Sequence, residues 1–147
     1  MILYLDSSAI VKQYVVEPGS AEIEIAVRTA QANGTVVLSR AEVTAAFKKA
    51  VRMRTLTDKS AKSALQQFNR NWPGLVRIRT TERLTQHAAS LAWTYDLRGY
   101  DAIHLAAAAA WQQALGRPVT MTTFDAALWK ASAKVGLELI PSQLPTL

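Results

Sequence analysis

The sequence contains no cysteine. Disulfides, thiol nucleophiles and every cysteine-based zinc or iron–sulfur site are thereby excluded. With only two histidines present, any bound metal is expected to be held by oxygen. Long hydrophobic runs are also missing. The longest, Met1 to Leu5 and Leu105 to Trp111, fall far short of the ~20 residues that cross a bilayer, so no membrane partner is expected. Asp6, Ser7 and Ser8 follow the first run at once and no basic stretch precedes it, which does not read as a secretory signal. A cytoplasmic location is the expectation, and the lack of cysteine permits it. Acids are scarce, 11 against 17 Lys and Arg, and the net charge of +6 favours an anionic partner. At roughly 150 residues per domain, 147 residues leave no room for a second core, so residues 1–147 are expected to form a single domain.

The positive charge is unevenly placed. Between Arg40 and Arg83 stand eleven basic residues (Arg40, Lys48, Lys49, Arg52, Arg54, Lys59, Lys62, Arg70, Arg77, Arg79 and Arg83) against three acids, Glu42, Asp58 and Glu82. Lys and Arg are ordinary on a solvated surface, but helical periodicity sharpens the pattern. Val43, Ala46, Phe47, Ala50 and Val51 share one helical face, which puts Lys48, Lys49 and Arg52 on the other. Ala61, Ala64, Leu65, Phe68 and Trp72 do the same for a second helix, turning Lys59, Lys62 and Arg70 outward. Two basic helical faces suit a phosphate-binding protein.

Short apolar runs alternate with helical patterns along the chain. Ile2 to Leu5, Thr35 to Leu38, Leu75 to Ile78, Val119 to Met121 and Leu137 to Leu139 read as strands. Helices are predicted at about Ser8 to Tyr14, Ser20 to Gln31, Arg40 to Arg54, Asp58 to Trp72, Glu82 to Tyr95, Asp101 to Leu115 and Ala126 to Val135. Such alternation implies an α/β fold, a parallel sheet with helices on both faces. Pro18-Gly19, Asn33-Gly34, Pro73-Gly74 and Gly116-Arg117-Pro118 read as separators, and Pro141 and Pro145 as marks of an irregular tail. The helix from Asp101 is apolar on nearly every side, which predicts a central position or a subunit contact.

Four acids fall just after predicted strands or at predicted helix starts. Asp6 follows the first strand, Glu42 opens the helix after the second, Asp101 opens the apolar helix, and Asp125 lies shortly after the fourth strand. In a parallel sheet all strand C-termini share one edge, where ligands bind at the point of reversed strand order. Each acid also has a structural explanation. Asp6, Asp101 and Asp125 read individually as helix caps, and Ser39-Arg40-Ala41-Glu42 matches a capping box. Capping does not explain why all four fall on one edge. If they meet, they repel unless a hard divalent cation such as Mg²⁺ or Mn²⁺ is shared between them, and such a centre beside a basic surface suits cleavage of a nucleic acid backbone.

Leu5 to Lys12, Glu17-Pro18-Gly19-Ser20, Ala41-Glu42-Val43, Leu97 to Ala106 and Thr122-Thr123-Phe124-Asp125 together resemble the successive motifs of PIN-domain ribonucleases, most closely the VapC-type toxins of toxin–antitoxin pairs. The resemblance spans essentially the whole chain. It implies a five-stranded parallel sheet ordered 3-2-1-4-5 and a Mg²⁺- or Mn²⁺-dependent endoribonuclease acting on RNA, often tRNA or rRNA. It also implies a homodimer and a small antitoxin partner whose C-terminal segment occupies the active-site groove. Residue by residue, the family's catalytic and metal-binding acids fall on Asp6, Glu42, Asp101 and Asp125. Its small hydroxyl residue falls on Thr122 or Thr123, and Ser7 matches the hydroxyl after the first acid. The 24 positions between Asp101 and Asp125 are long for the family and leave Asp125 room to act through a water.

Other residues are read as structural. His104, one turn after Asp101, is assigned a structural role because Mg²⁺ prefers oxygen, and His87 a surface position. Trp72, Trp93, Trp111 and Trp129 are assigned to the core or an interface, while Arg98 and Arg117 flank the acidic edge within reach of phosphate. A non-catalytic RNA-binding protein using the helices between Arg40 and Arg83 is the alternative function. Phosphoryl transfer through Asp6 is disfavoured, because Ser8 stands where the haloacid-dehalogenase-like pattern requires a second Asp.

Overall fold

The computed structural model describes residues 1–145. Strand β1 (Ile2–Leu5) is buried at every position. Its alternating side chains divide between two cores: Ile2 and Tyr4 face one, Leu3 and Leu5 the other. Around it β2 (Ala32–Val36), β3 (Val76–Ile78), β4 (Val119–Thr122) and β5 (Glu138–Ile140) complete a five-stranded sheet in the order β3-β2-β1-β4-β5. Every pairing is parallel, with Ile2 opposite Ala32 on one side and Val119 on the other. The parallel α/β architecture is the one the alternation of elements predicts, and the strand order is the one the family resemblance implies.

Helices α1 (Ser7–Val11), α2 (Ser20–Thr29), α3 (Ser39–Arg52) and α4 (Asp58–Asn71) cover one face. Their inward residues Ile10, Ile23, Phe47 and Phe68 close over Leu3 and Leu5. Helices α5 (Glu82–Tyr95), α6 (Gly99–Leu115) and α7 (Ala126–Lys134) cover the other through Leu91, Leu105 and Leu128. Ala106, Ala107 and Ala108 of α6 are completely buried, so the apolar helix is central, as its composition predicts.

Two expectations need correction, and the core-or-interface reading of the tryptophans divides between buried and exposed positions. Asn33-Gly34 is no separator; both residues lie inside β2. The Trp111 ring rests on Gly34, where an added Cβ would come within 2.6 Å of it, and the Asn33 side chain donates to the Val27 carbonyl at 3.1 Å. Glycine here permits close approach of an aromatic ring, a role that sequence alone does not separate from a turn. Trp93 stands 91% exposed on α5, outside the chain's own core, whereas Trp72 and Trp111 are buried. The Ser39–Glu42 capping box does not form: Ser39 is buried with its hydroxyl 2.6 Å from that of Thr35, and no side chain caps α3. Element ends otherwise shift by a few residues; the first helix stops at Val11, three residues short of Tyr14.

Candidate active site

The order of strands reverses between β1 and β4, so the crevice beyond their C-terminal ends is where this fold leaves room for a ligand. A pocket of about 320 Å³ lies there, lined by Asp6, Ser7, Ser8, Glu42, Arg98, Asp101, His104, Phe124 and Asp125. All four acids singled out from the sequence reach it.

Each acid is held differently. Asp6 is almost fully buried and caps α1: its Oδ1 accepts from the Ala9 amide at 2.9 Å and the Ser8 hydroxyl at 2.7 Å. Its Oδ2 accepts from the Thr123 hydroxyl. Thr123, rather than Thr122, therefore supplies the hydroxyl beside the first acid, and it also receives the Asp125 amide at 3.1 Å. Asp125 caps α7 by accepting from the Leu128 amide at 2.9 Å. Both aspartates are thus caps and pocket residues at once. Asp101 sits in the first turn of α6 without capping it.

Arg98 ties two of these groups together. Its Nε donates to Asp101 Oδ2 at 2.9 Å, and a second guanidinium nitrogen donates to Asp125 Oδ2 at 3.0 Å. One cation against this many carboxylates is too little. Burial raises the Asp101 carboxyl above its ordinary value, and the charges of Asp125 and Asp6 push the same way, outweighing Arg98.

Glu42 is fixed from beneath. Its Oε1 accepts from the Ser7 hydroxyl at 2.8 Å and faces His104 Nε2 at 2.9 Å. On the other side of the ring, His104 Nδ1 lies 2.8 Å from the Tyr4 hydroxyl. Tyr4 is completely buried and its oxygen already accepts from the Val36 amide at 3.2 Å. With its hydrogen on His104 Nδ1, the ring presents an Nε2 proton to Glu42. Burial raises Glu42, but the hydrogen bonds from His104 and Ser7 and the charge of Arg98 prevail, and its carboxyl ends below the ordinary value. Sequence reading kept His104 apart from the chemistry. The available signal was its position three residues after Asp101, on the same face of α6; Tyr4, one of several apolar residues in β1, gave none.

The donor set suits a hard divalent cation, since it offers carboxylate oxygens and no soft ligand. Among the described residues no three His, Asp or Glu groups converge tightly enough to form a ready-made cage. Arg98 spans two of the carboxylates, so a cation bound there must take over the charge that the guanidinium now balances. Asp6, Glu42, Asp101 and Asp125 are the groups that would hold it.

The chain is 36% identical to ribonuclease VapC46 of Mycobacterium tuberculosis (strain ATCC 25618 / H37Rv), an alignment covering 94% of this chain and 95% of that one. Ribonuclease VapC45 of the same species (strain CDC 1551 / Oshkosh) is 31% identical over 97% of both. The chain belongs to the VapC ribonuclease family. No protein-family model matches it. Among solved structures, VapC20 of Mycobacterium tuberculosis, a sarcin-ricin loop cleaving toxin, superimposes on this VapC-family fold with a TM-score of 0.65 at 14% identity, covering 97% of this chain and 99% of that one. VapBC2 from Rickettsia felis, bound to a DNA fragment from its promoter, gives 0.62 at 17%, covering 95% and 97%. In this family member the pocket is lined by side chains from the β1–α1 junction, α1, α3, α6 and the β4–α7 junction. Lys12, paired with Glu17 at 3.1 Å, lies over the Phe124 ring that forms one wall.

Proposed function

We propose that this chain is an endoribonuclease, the toxin of a VapBC-type toxin–antitoxin pair, using Mg²⁺ or Mn²⁺ to hydrolyse phosphodiester bonds in RNA such as tRNA or rRNA. The observation that carries the reading is the meeting of four carboxylates from four separate elements in one pocket at the sheet's point of reversal. Repulsion among them has no structural return unless a cation is used there. The relatives' names as ribonucleases supply the reaction class.

Asp6, Glu42, Asp101 and Asp125 are assigned as metal-binding and catalytic residues. These four carboxylates would hold the divalent ion, whose contribution when bound would be Lewis-acid polarisation of the phosphate and activation of water. The chain's own groups do the positioning. Thr123 and Ser8 lock Asp6 in one rotamer, and His104 and Ser7 hold Glu42 Oε1, leaving Oε2 directed by a fixed carboxylate plane. Arg98, released from Asp101 and Asp125, is placed to neutralise substrate phosphate.

The whole of residues 1–147 acts as one nuclease domain, consistent with two cores sharing one sheet. A small antitoxin is its protein partner, a reading supported by the neighbouring VapBC2 complex. We further propose a cytoplasmic homodimer; no helix among the described residues is long and apolar enough to cross a membrane. The non-catalytic RNA-binding alternative is not favoured, because phosphate binding alone gives no use for four clustered acids.

Total RNA incubated with Mn²⁺ is expected to be cut, with cleavage lost in EDTA and in Asp6→Asn and Asp101→Asn variants that keep wild-type circular dichroism. Cleavage that survives in those variants refutes the proposal.

A further inference from the structure

The outward stripe of α3 begins inside the four-acid pocket and leaves it as a row of cations. Glu42 lines the pocket, and the same carboxylate closes one end of a second, shallower groove floored by Ala45 and Ala46 and edged by Lys48, Lys49 and Arg52. Residues 42, 45, 49 and 52 follow the three- and four-residue spacing of a single helical face. At 1.5 Å per residue the three cations lie roughly 9, 10 and 15 Å along the helix axis from Glu42. All three are exposed, and none is in a salt bridge with an acid of the described chain.

Unpaired cations one helical stripe away from a negative pocket solve an electrostatic problem. A polyanion is repelled by the carboxylates that must act on it, so its binding free energy has to come from elsewhere along its length. We propose that the strand of RNA flanking the scissile bond runs along α3, with its phosphates on Lys48, Lys49 and Arg52 and the small side chains of Ala45 and Ala46 leaving the backbone room to pass. The assignment rests on the endoribonuclease reading of the pocket. A second cationic groove exists, with Arg79, Arg83 and His87 at its rim. It shares no lining residue with the acid pocket.

The test is fluorescence anisotropy with the full chain in EDTA and a single-stranded oligoribonucleotide, titrated across a range of KCl. Each phosphate contact contributes about 0.7 to the slope of log affinity against log salt for a single strand. The triple variant Lys48→Ala, Lys49→Ala, Arg52→Ala is expected to lower that slope by about 2, and Lys49→Ala alone by about 0.7. Arg79→Ala with Arg83→Ala is expected to leave it unchanged. In Mn²⁺ the α3 variants should raise KM for RNA with kcat preserved.

An unchanged slope in the α3 triple variant, with its wild-type Tm retained, overturns the proposal. So does a loss confined to the Arg79 and Arg83 variant, an absence of salt-dependent binding by the wild type, or a defect of the α3 variant only toward an acidic protein partner. If the slope falls as stated while the wild type never cuts RNA in Mn²⁺, the track stands and the catalytic reading fails.

Discussion

Asp101→Asn removes one charge from the carboxylate cluster while nearly preserving its shape. In the metal-free protein, burial and the neighbouring Asp125 and Asp6 already oppose ionisation of Asp101, and the balance stays unfavourable after Arg98 is included. That ion pair is weak support, since the Arg98 side chain is 77% exposed and exposed pairs contribute about 0–1 kcal/mol. The variant should therefore melt higher than wild type in EDTA. Metal reverses the order. An ion at a hundredfold excess over its Kd stabilises a one-site protein by about 2.7 kcal/mol. For 147 residues each kcal/mol moves Tm by about 3 °C, so Mn²⁺ at that excess raises the wild-type Tm by about 8 °C. Losing a ligand that weakens binding ~100-fold, as removal of an outer-sphere partner alone can do, leaves the ion near its new Kd. The gain then falls to about 0.4 kcal/mol, or about 1 °C. Differential scanning calorimetry of both proteins in EDTA and across a Mn²⁺ titration measures all four values. A variant that melts lower than wild type in EDTA, or that keeps the full Mn²⁺ shift, refutes the assignment of Asp101.

The same cluster sets a pH dependence. Asp101 has its folded pKa raised, so its cost to stability is absent below the ordinary carboxylate range and grows as pH rises through the folded value; the Tm advantage of Asp101→Asn in EDTA should widen from about pH 4 upward. Glu42 has its folded pKa lowered and works in the opposite sense, giving stability above the unfolded value that is lost as pH falls, so Glu42→Gln should narrow its gap to wild type on acidification. Tyr4→Phe removes the hydroxyl that fixes the His104 tautomer and leaves the Val36 amide without its acceptor, a loss of about 1–3 kcal/mol; denaturant melts should show it, and RNA cleavage should lose kcat with KM held. Gly34→Ala drives a Cβ to within 2.6 Å of the Trp111 ring and should cost about 1–3 kcal/mol, whereas a turn glycine at a negative φ would tolerate alanine nearly freely.

The layer order was legible because its signals are local. The continuous apolar run of β1, the amphipathic faces of α3 and α4 and the apolar girth of α6 are each read from residues close together along the chain. The acids were legible for a related reason: Asp6, Asp101 and Asp125 occupy helix starts, and helix starts in a parallel sheet share an edge with the strand ends. The same locality misled at Gly34, whose cause is a ring 77 residues further along the chain, and at Ser39–Glu42, where a local capping pattern gave way to distant partners. Glu42 turns to Ser7 and to the buried His104, and the buried Ser39 turns to the buried Thr35, because buried polar groups must be satisfied within the fold.

The sequence by itself determined the α/β class, the sign and location of the basic helices, and a set of acids able to reach one sheet edge. Only the tertiary structure decided how those acids are held: Arg98 between Asp101 and Asp125, Thr123 on Asp6, and the Tyr4–His104 pair beneath Glu42. Residue spacing encodes direction along a helix or strand, while a hydrogen bond between residues 62 or 100 positions apart exists only once the elements carrying them have packed.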